Sequence, residues 1–362
     1  MAAERSPFTQ TRLAHVSPGM AFGILLALVL VICSGLAMLP KGPPGGATGG
    51  GDAALYRQIA ARVANGEAYY SAAAAEHRAS AYPLKPFTAV REPLLAEIAA
   101  TIGPAGAEWL LRLLAVAATA ATAIRLAPQL KTPFRESAIL LSAVSAGAFV
   151  QSGMWVWHEI WAGLLITLAL ACRTERHWLL SVVFGLTAAL LRELAFPFLL
   201  VMAGTAWAGG ARREAGAWIG AVAIALAALA LHMIFVGAVA RPTDVTSPGW
   251  LVFGGWRFAL ALARSSVLLL LPTWVAAVVT PLALLGWCAW RGDYALRTAA
   301  ILGLWMSAFL IVGRPDNSYW GFLFAPLLPV GLALAPAALR DLIRAALARS
   351  ASAVPIRISS AR

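Results

Sequence analysis

Residues 20–38 read MAFGILLALVLVICSGLAM, a run of 19 residues without a charge. At about 1.5 Å of rise per residue, a helix of this length covers the hydrocarbon core of a bilayer. Arg5, Arg12 and His15 precede it, as basic residues precede a secretory signal, but the apolar part of such a signal is usually about 7–15 residues. The run therefore reads as an uncleaved membrane anchor. Outward from it, further apolar stretches occur near 108–127, 137–155, 157–172, 178–191, 194–209, 216–238, 267–290, 297–312 and 320–339. Of the 362 residues, 60% are hydrophobic and 12% charged, against about 45–50% and 25% in an average soluble domain. An ordinary soluble enzyme is excluded. The expected fold is all-α, a polytopic transmembrane helical bundle of about ten spans.

The chain carries 28 Lys and Arg against 16 Asp and Glu, a formal net charge of +12. Assigning successive loops to alternate sides puts sixteen basic and six acidic residues on the side of both termini. Twelve basic and ten acidic residues fall on the other side. This is the positive-inside asymmetry of a multi-pass protein of the inner (plasma) membrane with both termini cytoplasmic. Residues 1–19 then form an N-terminal tail, 20–339 the membrane domain and 340–362 a basic C-terminal tail. Attraction to anionic membrane lipids accounts for the surplus charge, and no nucleic-acid partner is required. Cys33, Cys172 and Cys288 are too few and too dispersed for a disulfide framework or a zinc site and read as small packing residues. Trp155, Trp157, Trp161, Trp250, Trp256 and Trp320 fall near the outer boundary and read as interfacial anchors.

The first outer loop, 40–107, is long and too apolar to be disordered. After a Gly/Pro-rich opening, Leu55, Ile59 and Val63 recur at helical spacing, Tyr56 and Ala60 widen the stripe, and Asn65-Gly66 is a helix stop. An amphipathic helix on the membrane surface is expected. A second begins at Pro93, carries Leu94, Leu95 and Ile98, and stops at Gly103-Pro104. Between the two, Tyr69 to Pro86 reads as a Tyr/Pro-rich crossover. Asp52 stands before the first helix and suits an N-cap, a role that also fixes a carboxylate in place.

An apolar first span, an Asp within a dozen or so residues, then Asp52-x-x-x-Tyr56-x-x-Ile59-Ala60, a Gly and a Tyr/Lys/Pro/Arg-Pro segment resemble the GT-C superfamily of integral-membrane glycosyltransferases. The resemblance covers residues 20 to 200 best. It implies two juxtamembrane helices in the first outer loop, a polyprenyl-phosphate sugar donor and a catalytic carboxylate at Asp52. Many members carry a second acid directly after the first, where this chain has Ala53. The superfamily often places another acid in the second outer turn, and the matching position is Glu159. Lys85 and Arg91 fall where related enzymes have basic residues near the donor phosphate.

Charges at the edges of spans are costly and mark functional candidates. His158 and Glu159 open the fourth span, where Glu159 suits either a site or a buried salt bridge. Arg192-Glu193 interrupts an otherwise uncharged stretch, and Arg192 suits either a phosphate fork or a hairpin tip. The last outer turn offers Arg314 for a phosphate and Tyr319 with Trp320 for a lipid or sugar. Arg241 and Asp244 read as loop chemistry, and His232, within a span, as a partner for a neighbouring helix. Together these give catalytic candidates Asp52 and Glu159, and substrate-binding candidates Tyr56, His158, Lys85, Arg91, Arg192, Arg314 and Tyr319. The expected reaction is inverting transfer of a sugar to a lipid or glycan acceptor, with Asp52 as general base. No cofactor is expected and no metal is demanded, since the chain has no Asp-x-Asp pair or His cluster. A transporter or flippase of a lipid-linked saccharide is the alternative, although transporters keep polar groups near the midplane and often carry internal repeats.

Overall fold

Ser17 and Pro18 start the first helix. The Ser17 hydroxyl accepts the Met20 N–H at 3.3 Å, and Pro18 occupies a first-turn position that needs no donor. The structure is a computed structural model and describes residues 11–39, 50–266, 268 and 271–351. Regular structure among these residues is all helical. The helices are α1 (Pro18–Ala37), α2 (Gly50–Ala64), α3 (Tyr69–Ala79), α4 (Leu94–Leu126), α5 (Phe134–Gly147), α6 (His158–Cys172) and α7 (Trp178–Leu191). They continue as α8 (Phe196–Ala208), α9 (Arg212–Val239), α10 (Gly255–Arg264), α11 (Thr273–Ala289), α12 (Asp293–Ala308) and α13 (Ala335–Ala351). α13 passes through residue 340, where the sequence places the beginning of the C-terminal tail.

Among the described residues, three segments are long and apolar enough to cross a membrane: Pro18–Ala37, Phe87–Leu126 and Arg212–Val239. The helices His158–Cys172, Trp178–Leu191 and Thr273–Ala289 are apolar but shorter. Several expected spans are thus not single long helices. Residues 137–155 divide into α5 and an irregular turn, and 320–339 become two 3-10 segments, Pro315–Leu323 and Leu328–Ala333, ahead of α13. Apolar composition reports burial in lipid or in protein alike, so it does not fix helix length. Large apolar side chains nevertheless face outward in bands, with Val116 66% and Ile124 74% exposed on α4. A surface of this kind is covered by lipid or by another protein.

The bundle is built around α6. Every residue from His158 to Ala171 is buried, as expected for a helix that is apolar on all sides. It packs against α4, α7 and the 3-10 segment Pro315–Leu323. Trp155, Trp161 and Trp320 are consequently core residues and not interfacial anchors. The Trp161 indole donates to the Trp155 carbonyl at 2.8 Å, and the Trp320 ring lies 5.7 Å from that of Phe309.

Ion pairs gather at the two ends of α6. Past its C-terminus, Arg173 meets Glu214 at 2.6 Å and Asp293 at 2.5 Å, and Arg297 meets Asp293 at 2.9 Å. At its N-terminus, Glu159 meets Arg192 at 2.6 Å and Arg91 at 3.7 Å. The first set comes from loops that the charge partition puts on the cytoplasmic side, and the second from loops it puts outside.

The first outer loop differs from its expected form after Tyr69. α2 ends at Ala64 with Gly66 at φ +87°, and the second helix breaks at Gly103 (φ +73°) before continuing as α4, both as the residues suggest. The stretch after Tyr69 is not a crossover but helix α3. Its Ser71-Ala-Ala-Ala-Ala run has high helix propensity and buries Ala72, Ala73 and Ala74 against α2. Leu55, Ile59, Tyr69, Leu84 and Val90 form a small second core that rests on Val236 of α9.

Close backbone approach holds the last outer turn in place. A Cβ on Gly321 would lie 1.9 Å from the Leu262 carbonyl oxygen, and one on Gly163 would lie 2.5 Å from that of Phe322. Gly321→Ala is therefore expected to cost at least about 1–3 kcal/mol and to lower the melting temperature in detergent. Gly303→Ala, with open space around it, is the control and should be neutral or slightly stabilising. Equal melting temperatures for both variants would refute this packing.

Candidate functional site

Asp52 lies in the first turn of α2, three residues into the helix and not before it as an N-cap. A first-turn carboxylate still meets the positive end of the helix dipole. Tyr56 follows one turn later on the same face, while Leu55 and Ile59 anchor α2 in the small core. Asp52 and Tyr56 form one wall of a cavity of about 550 Å³. Arg91, Arg192 with Glu193, Trp250, and Arg314 with Tyr319 and Trp320 supply the other walls.

Arg91 is fixed from several directions. Its backbone carbonyl accepts the Tyr69 hydroxyl at 2.6 Å, its Nη2 donates to Tyr319 Oη at 3.0 Å, and its guanidinium lies 5.6 Å from the Tyr56 ring centroid. Glu159, 1% exposed, stands behind it and accepts from Arg192 Nε. Arg192 is also 1% exposed and pairs with Glu193. Two guanidinium groups thus share the Glu159 carboxylate at the back of the cavity, where low polarisability makes their charge effective.

Six of the nine sequence-chosen residues line this cavity: Asp52, Tyr56, Arg91, Arg192, Arg314 and Tyr319. Glu159 does not reach it, because its carboxylate is turned to the two arginines. His158 stands beside a water-sized void behind the wall, edge-on to Tyr56 at 5.3 Å. Lys85 is elsewhere, its Nζ donating to the Pro242 carbonyl at 2.9 Å on the surface. Arg314 is heavily committed, donating to Asp316, to Ser247 Oγ at 3.2 Å and to the Pro248 carbonyl at 2.8 Å. Arg78 pairs with Asp244 at 2.8 Å, so Asp244 is loop chemistry, and His232 bridges Tyr70 and the Val90 carbonyl as a helix partner.

Among the lining residues that the sequence candidates did not include are His77 and Tyr82. Both lay in the segment read as a crossover, and the Ala run before His77 was the available signal. Tyr82 lines the same cavity as Asp52, and burial first, then that carboxylate, raises its pKa. Burial also raises the Tyr56 pKa well above its ordinary value, so the phenol keeps its proton. Among the described residues, no three His, Cys, Asp or Glu side chains gather as metal ligands. The three cysteines are free.

Glu92, beside Arg91, is buried with one carboxyl oxygen unpartnered.

Compared with protein-family models, with curated proteins and with solved structures, the chain matches none.

Proposed function

We propose that the chain is an integral-membrane glycosyltransferase of the GT-C kind, moving a sugar from a polyprenyl phosphate to a lipid or glycan acceptor. One observation carries this reading. The cavity sets the Asp52 carboxylate, from α2, in a chamber whose other walls hold the guanidinium groups of Arg91 and Arg192. Inverting transfer needs a base on one face of the anomeric carbon and positive charge on the other.

In the proposed reaction Asp52 takes the proton of an acceptor hydroxyl as its oxygen attacks the anomeric carbon. The bond from that carbon to the phosphate oxygen breaks, and the electron pair leaves on the phosphate. Arg91 and Arg192 meet the charge that develops there. Glu159 is a positioning residue that aligns the two arginines, Tyr56 packs its ring against Arg91, and His158 packs edge-on against Tyr56. Tyr319 holds the Arg91 fork, and Arg314 shapes the rim.

The ion-pair sets at the two ends of α6 support a ten-pass arrangement in which short helices and their flanking turns complete the crossings, with both termini cytoplasmic and the cavity outside. The rim supports a lipid-linked donor. Trp250 and Val312 line the cavity, and next to them Leu251 and Phe253 are 80% and 81% exposed. Purified protein given labelled polyprenyl-phosphate sugars and lipid or glycan acceptors is expected to form product with inverted anomeric configuration. Absence of transfer from any donor, with translocation of lipid-linked sugars in vesicles, would establish the flippase reading instead.

A further inference from the structure

Three residues that line the cavity carry a buried polar atom without a protein partner: His77 Nε2, Arg91 Nε and Trp320 Nε1. The last two can only donate. His77 is different, because its environment fixes which nitrogen holds the proton. Nδ1 lies 2.8 Å from the Pro83 carbonyl oxygen, which can only accept, so Nδ1 carries the hydrogen. Burial first, and to a lesser degree Arg91, keep the ring neutral by lowering its pKa to about 4. Nε2 is then an acceptor with a free lone pair, in a side chain only 2% exposed. Leaving such a group unpaired is unfavourable, so the site favours a ligand that donates to it.

We propose that His77 is a sugar-recognising residue whose Nε2 accepts a hydrogen bond from a ring hydroxyl of the transferred sugar. The inference rests on the reading of this cavity as a glycosyl site and adds its specificity. His77 and Tyr82 pack edge to face at 6.1 Å, and both line the cavity with Asp52, so the acceptor nitrogen belongs to the same chamber as the base. Arg91 Nε and Trp320 Nε1 supply donors for ring or phosphate oxygens of the same ligand. A site with a buried acceptor rejects an analogue lacking the matching hydroxyl, because the nitrogen is then left unpaired.

The test uses the full chain labelled with ¹⁵N-histidine in detergent, its five histidines assigned by single substitutions. The expected result is a neutral His77 with its proton on Nδ1 at pH 7, and an Nε2 resonance that shifts with pentose or hexose 1-phosphates but not with inorganic phosphate. A proton on Nε2 overturns the proposal, as does a set of sugar phosphates that moves Nε2 no more than inorganic phosphate does. His77→Asn keeps a donor for the Pro83 carbonyl, and its amide oxygen falls short of the Nε2 position, so the acceptor is removed from that point. It is expected to weaken sugar-phosphate binding roughly tenfold while leaving inorganic phosphate unchanged. An equal loss for both ligands would mark His77 as merely structural and overturn the proposal. If the variant does not fold, the proton position and titration in the wild type still decide. None of these readouts requires transfer, so failure of the transferase reading is seen separately in the transfer assay.

Discussion

Asp52→Asn is expected to lower the rate of sugar transfer about 10²–10⁴-fold, the usual contribution of a positioned general base, with little change in melting temperature. The asymmetry follows from where Asp52 sits. Its side chain faces the cavity, and the folding contacts of α2 are made by Ala53, Leu55, Ile59 and Ala60, all buried. Asparagine has nearly the same shape. What it loses is the first-turn charge, worth up to about 1 kcal/mol at an exposed helix end. The measurement is single-turnover transfer alongside a thermal melt of the same preparation. Transfer equal to that of the wild type would remove Asp52 from the reaction. A collapse of the melt would show that it is a structural cap and no more.

Breaking the pair behind the cavity is expected to have the opposite signature. Glu159 and Arg192 are both almost completely buried and meet at 2.6 Å. Arg192→Met leaves Glu159 with Arg91 alone, at 3.7 Å, and removal of one partner from a buried ion pair costs about 3–5 kcal/mol. Glu159→Gln leaves two arginines close together without their shared anion and should be similarly destabilising. The double variant is expected to cost less than the sum of the two, because neither charge is then stranded. The check is a double-mutant cycle on melting in detergent. Additive losses would mean that the two side chains do not act on each other. Because Glu159 orients the arginines, its loss should also weaken donor binding. Asp52→Asn, by contrast, should leave donor binding nearly intact.

Much of the local structure was legible in the chain. The i, i+4, i+8 spacing of Leu55, Ile59 and Val63 found α2, and Asn65-Gly66 ended it, because amphipathic periodicity and left-handed glycine positions are properties of a short window. Gly103 worked in the same way. The identity of most cavity residues was legible too, since charge is so scarce that Asp52, Arg91, Arg192 and Arg314 stood out. Helix length was not legible. Residues 320–339 are as apolar as a span, but they fold into short 3-10 segments because Gly286, Gly321 and Gly331 let backbones pack against one another.

By itself, then, the sequence determined the helical class, the greasy surface, the segregation of charge and the face of α2 that carries Asp52. These rest on local propensity, periodicity and the cost of burying charge. Only the tertiary structure decided that α6 is enclosed by protein, that Glu159 serves two arginines and not the cavity, and that His77 joins the site while Lys85 leaves it. The partners involved are distant along the chain, with Glu159 and Arg192 separated by 33 residues and Arg91 and Tyr319 by 228. Which of several buried charges meets which is settled by the packing of whole helices.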